Sequence, residues 1–92
     1  MFGKKEEKVL KERKQAISLK IKPIVARQLG IDEERIVPTA KIVEDLGADS
    51  LDAIEIVMAL EEAFNIEILD EDQEKMKTVE DIVVYLVERI KV

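Results

Sequence analysis

The stretch Gly47–Glu62, GADSLDAIEIVMALEE, decides how the rest of the chain is read. Gly47 tolerates the left-handed backbone that a tight turn into a helix demands. Asp49 and Ser50 are both favoured helix N-cap types, because a short side-chain oxygen accepts from an N–H left free in the first turn. Leu51, Ile54, Val57, Met58, Ala59, Leu60 and, just beyond, Phe64 recur at helical spacing. The spacing predicts an amphipathic helix over 50–65 with a wide apolar stripe. Asp52, Glu55, Glu61 and Glu62 are interspersed along it, and acidic residues near its start suit the positive end of the helix dipole.

Ser50 stands at the mouth of this acidic helix. It is not a hydrolytic nucleophile by any constellation in the chain. There is no histidine and no cysteine, and no Ser-x-x-Lys spacing, so the usual activating base is missing. Two readings remain for this serine. It caps the helix, or another enzyme modifies it.

Ninety-two residues make one small domain with a modest core. Phe2, Phe64 and Tyr85 are the only aromatic residues, so the core is built from Ile, Leu, Val, Met and Ala. Without cysteine there is neither a disulfide framework nor a thiolate metal site. Asp70-Glu71-Asp72 lacks the alternating ligands and central glycine of a calcium loop, and no metal site is expected. No apolar run reaches membrane-spanning length, and the N-terminus has no secretory h-region. A cytoplasmic monomer that does not insert into membranes is expected.

The net charge of −6 hides an asymmetry. Residues 1–16 hold six basic and three acidic side chains, whereas residues 17–92 hold nine basic and eighteen acidic. From Ile42 to Glu74 there is no Lys or Arg, but twelve residues are Asp or Glu. A one-signed stretch of this length steers basic partners and repels nucleic-acid phosphates.

In chain order, residues 1–16 read as a charged extension, either a fraying helix or a disordered arm, and residues 17–92 as the domain proper. Ile17, Ile21, Ile24, Val25 and Leu29 predict a first helix, which Pro23 either kinks or starts. Gly30 suits its C-terminal end. Residues 31–48 form a long loop, tacked to the core by Ile36, Val37, Ile42, Val43 and Leu46, with short turns at Asp32 and Pro38. After the helix at Ser50, a short third helix is expected around Asp70–Met76. A last helix follows over Thr78–Lys91, capped by Thr78 with Asp81, its core stripe Val79, Ile82, Val83, Leu86 and Ile90. Arg89 and Lys91 suit its negative end. Val84 and Val87 read as scattered exposed aliphatics. Three longer helices and one short one give an all-α bundle.

The segment Val43-Glu44-Asp45-Leu46-Gly47-Ala48-Asp49-Ser50-Leu51-Asp52, continued by Glu55-Ile56-Val57-Met58-Ala59-Leu60-Glu61-Glu62, closely resembles the prosthetic-group attachment site of acyl carrier proteins. The resemblance runs from Ile17 to Ile90. It implies a small four-helix acyl-carrier bundle in which Ser50 bears covalent phosphopantetheine, whose thiol holds acyl chains as thioesters. It implies that Ile54, Leu60, Ile68 and Met76 line the space for the acyl chain. It also implies that Asp49, Asp52, Glu55, Met58 and Glu62 dock the basic patches of a holo-carrier synthase and of discrete (type II) fatty-acid synthesis enzymes. The chain itself is expected to catalyse nothing. It departs from the family pattern at Pro23, at Leu69, where a proline is common, and at Gln73, where a small residue is usual. Two alternatives compete: a carrier for a polyketide or other specialised acyl pathway, and an unmodified acidic adaptor that binds a basic protein.

Overall fold

The computed structural model describes residues 2–90, with side chains from Glu6 onward. Lys91, assigned from the sequence to the last helix, lies outside the described residues. Four α-helices follow one another: α1 (Phe2–Leu29), α2 (Ser50–Phe64), α3 (Asp70–Gln73) and α4 (Val79–Arg89), with a 3₁₀ turn at Glu33–Arg35 between α1 and α2. Among the described residues there is no strand, only an isolated antiparallel bridge between Lys41 and Thr78. The all-α bundle expected from the sequence is the one observed.

The first helix is longer than its spacing predicts, and it neither starts at Pro23 nor stops there. It runs for 28 residues, roughly 42 Å at the ordinary helical rise. Pro23 costs the Leu19 carbonyl its helical partner, but Pro23 is exposed and Leu19 is 64% exposed, so water can take up that group. The opposite face holds the helix in place. Ile21 and Val25 are fully buried four residues apart, with Ala26 beside them. Ile17, Leu19 and Ile21 alternate as residues of a strand would, but all three lie within this helix. Ile17 and Ile21 face inward, and Leu19 faces out.

The charged segment before Ile17 is part of the same helix. At its inner end the Arg13 guanidinium donates to the Ile90 carbonyl, and Lys14 pairs with Glu80 at 3.3 Å. Both contacts reach α4. Residues 6–12 are exposed.

The long loop is pinned rather than free. Ile36, Ala40, Ile42, Leu46 and Ala48 are buried from it. Its backbone ties it to the start of α4: Ile42 N–H donates to Lys77 O (2.9 Å), Val79 N–H to Ala40 O (3.0 Å) and Glu80 N–H to Pro38 O (2.9 Å). On α4, Val87 is buried and Val84 half-buried, against the expectation that both are scattered surface aliphatics. The second apolar side of α4 is covered because α1 packs on it.

The end of α2 shows how one helix completes another. Its last turn contains no basic residue. Lys20 of α1 supplies one: Nζ donates to Ala63 O at 3.1 Å and lies 4.7 Å from the Phe64 ring centroid. Asn65 then ends the helix in the left-handed conformation, at φ 53°.

Candidate functional site at the start of α2

The approach to α2 is a tight, self-bonded turn. Asp45 and Leu46 N–H groups both donate to Lys41 O, Gly47 N–H donates to Val43 O, and Ala48 N–H donates to Ile42 O. The Asp45 carboxylate accepts from Lys41 N–H at 2.8 Å. Leu46 and Ala48 anchor the turn in the core, and Gly47 between them is exposed. Gly47 has φ +76°, and a Cβ there would meet nothing within 4 Å. Backbone conformation, not crowding, calls for glycine.

Asp49 caps α2; Ser50 does not. Asp49 Oδ1 accepts from Asp52 N–H at 2.8 Å, and Asp52 Oδ2 accepts from Asp49 N–H at 3.1 Å, a complete capping box. Ser50 is therefore the first helical residue, exposed, with a hydroxyl that capping leaves unused. Among the described residues no protein acceptor pairs with the Ser50 or Leu51 N–H. These two donors point out of a helix N-terminus, an environment that favours an anionic group.

The residues singled out around Ser50 are found in mixed states. Asp49, Met58 and Glu62 are exposed, while Asp52 and Glu55 are half-buried. Asp52 is engaged in the capping box, and Glu55 accepts from the Gln28 side chain of α1. The apolar stripe expected to enter the core splits in two. Leu51, Ile54 and Met58 are 62%, 53% and 61% exposed, whereas Ile56 and Leu60 are the buried pair. Ile56 was missed because 51, 54 and 58 make an equally regular helical series. Only the positions of α1 and α4 decide which series turns inward.

A cavity of about 100 Å³ opens one turn below Ser50, between α2, the loop at Ile42, the residues after α3, and α4. Ile54, Leu60 and Met76 line it, together with Gln73. Ile68 is not on it; it borders an adjoining cleft shared with Ile54. Ile42 and Ile82 line the cavity too. They come from distant parts of the chain, and no local pattern could point to them. Ala53 and Val57, three and seven residues after Ser50, also line it and were legible from helical spacing.

Short α3 buries none of its own residues and is held by side-chain bonds instead. Glu61 accepts from Ile68 N–H (2.8 Å), Arg89 donates to Glu67 O (2.6 Å), and the Tyr85 hydroxyl donates to Asp72 Oδ2 (2.8 Å). Burial, and then the bond to Asp72, push the Tyr85 phenol above its ordinary range.

The sequence model of the phosphopantetheine attachment site matches residues 20–86. The acyl carrier protein of Syntrophobacter fumaroxidans (strain DSM 10017 / MPOB) is 61% identical over 71 residues, covering 77% of this chain and 88% of that protein. The chain belongs to the acyl carrier protein family. Its prosthetic group is accordingly phosphopantetheine, and the start of α2 suits that group. The Ser50 hydroxyl is exposed and unused, two free N–H groups lie beside it, and an apolar cavity begins a turn away. Among the described residues of this acyl carrier protein, no helix is long and apolar enough to cross a membrane.

Proposed function

We propose that Ser50 is the attachment residue and that this carrier serves fatty-acid synthesis by discrete, type II enzymes. The observation that carries the assignment is the division of labour at the start of α2, where Asp49 takes the cap and leaves the Ser50 hydroxyl exposed.

In the loading step Ser50 Oγ forms a bond to the pantetheine-side phosphorus of coenzyme A, and the bond from that phosphorus to the adenosine bisphosphate leaving group breaks. The Ser50 proton must pass to a base on the synthase, because this chain has no histidine or cysteine to take it. The free Ser50 and Leu51 N–H groups then lie beside the phosphodiester. Once attached, the prosthetic group supplies a thiol that holds acyl groups as thioesters. The chain's own part is to present, dock and shelter. Asp49, Asp52, Glu55 and Glu62, with Met58 as an apolar anchor, meet basic patches on successive enzymes. The cavity lined by Ile54, Leu60 and Met76 takes methylenes out of water, each worth about 0.8 kcal/mol, and Ile68 borders the space beside it.

Reconstitution with discrete condensing, reducing and dehydrating enzymes tests the pathway. The loaded protein is expected to return saturated acyl chains grown in two-carbon steps. Loaded protein that these enzymes ignore, but that a polyketide condensing enzyme accepts, would assign it to a specialised pathway. A chain that never gains mass in the presence of a holo-carrier synthase would be an adaptor.

A further inference from the structure

We infer that Gln73 is the specificity-determining residue that limits how long an acyl chain this carrier shelters; the inference rests on the carrier reading above. Three spaces meet at this side chain. Gln73 lines the cavity of about 100 Å³ beside Ile54 and Met76. It also lines a larger cleft of about 410 Å³ at Val43 and Lys77, and another of about 430 Å³ at Met58 and Glu67. No other residue lines all three.

The amide is tethered where it stands. Nε2 donates to Ile68 O and to Asp70 Oδ1, each at 3.3 Å, so both of its hydrogens have acceptors. The backbone beneath it is held as well. Gln73 N–H donates to Leu69 O (3.1 Å), and the neighbouring Asp72 is fixed to α4 by Tyr85. A growing chain that displaces the Gln73 side chain must swing its amide off both acceptors. No other backbone or side-chain donor among the described residues reaches Ile68 O, and Ile68 is 3% exposed, so displacing the amide strips that carbonyl of its partner.

Size sets the expected break. An apolar cavity of about 150 Å³ takes up the six carbons of benzene, so about 100 Å³ accommodates about four carbons. Chains with more methylenes than that meet the amide. Replacing Gln73 by Ala removes four side-chain heavy atoms and joins the cavity to the clefts on either side.

The test loads wild type, Gln73→Ala and Gln73→Ser with acyl-phosphopantetheine from a series of straight-chain acyl coenzymes A, two to twelve carbons long, using a holo-carrier synthase. Intact and fragment masses confirm the load, and melting temperature is recorded against chain length. Both variants should fold, because α3 buries no residue. In the wild type the melting temperature is expected to rise with chain length and then level off. In both variants the levelling is expected at a longer chain than in the wild type, because the shorter side chain no longer stands between the cavity and the clefts. The same break in all three proteins, or a series flat throughout, would overturn the role of Gln73 and leave the carrier reading intact. No mass gain on Ser50 in the wild type would overturn the carrier reading and the inference with it.

Discussion

At the start of α2, Asp49 and Asp52 exchange hydrogen bonds across the first turn; at the start of α4, Thr78 and Asp81 do the same. The residue after each cap tells the two apart. Ser50 is exposed, and Val79 is 1% exposed. The next free donors differ too. Val79 and Glu80 N–H groups are taken by Ala40 and Pro38 carbonyls of the loop, while those of Ser50 and Leu51 have no protein acceptor among the described residues. One helix start is closed by packing and backbone bonding, and the other is left open. A capping box builds a helix end; what covers that end makes it structure or site.

The two helix starts differ most at Ser50. Ser50→Ala is expected to lose all loading by a holo-carrier synthase while its melting curve stays close to wild type, since Asp49 and not Ser50 makes the cap. Transplanting the serine to the closed helix start is the reciprocal experiment. Val79→Ser should gain no loading and should lose about 2–3 kcal/mol in a denaturant titration, from lost apolar burial and a hydroxyl placed in the core. Loading at position 79 would show that packing does not separate the two ends.

Charge sharpens the contrast more mildly. Glu62 is exposed and lies outside the capping box, so Glu62→Lys combined with Met58→Ala alters the proposed docking face without disturbing the cap. Loading of the double variant should slow several-fold at low salt. The gap should narrow as salt rises and the screening length falls to about 8 Å. The two caps themselves should be alike: Asp49→Ala and Thr78→Ala are each expected to cost about 1 kcal/mol of stability.

The smallest effect lies on the closed side, where Tyr85 joins α4 to α3. Its folded-state pKa is raised by burial and by the Asp72 bond above the ordinary 10.0. The stability it contributes is therefore complete below that value and is lost as pH rises through the folded-state pKa. As Tyr85 is the only tyrosine, its ultraviolet titration reads this directly. Tyr85→Phe should remove the alkaline loss, and a wild-type midpoint at or below the ordinary value would contradict the burial argument.

The helix start was legible in the sequence because every determinant is local. Gly47, Asp49 and Asp52 lie within six residues of one another, and their geometry needs no partner from elsewhere. Helices α2 and α4 were legible for the same reason. What was not legible depends on neighbours. Pro23 sits inside α1 because Ile21 and Val25 are clamped behind it. Ile56 is buried instead of Ile54, and Val87 is covered, because α1 packs against both α2 and α4. The cavity wall at Ile42 and Ile82 joins residues forty apart, and Ile68, expected on it, falls just outside.

The open helix start is tested most directly by locating the modification. The wild-type protein is incubated with coenzyme A, magnesium and a holo-carrier synthase, cleaved, and mapped by fragment mass. A single phosphopantetheine is expected on the fragment that contains Ser50. Its appearance on Ser18, the only other serine, or on the threonine that caps α4, would contradict the claim that the uncovered start of α2 is what the synthase reads.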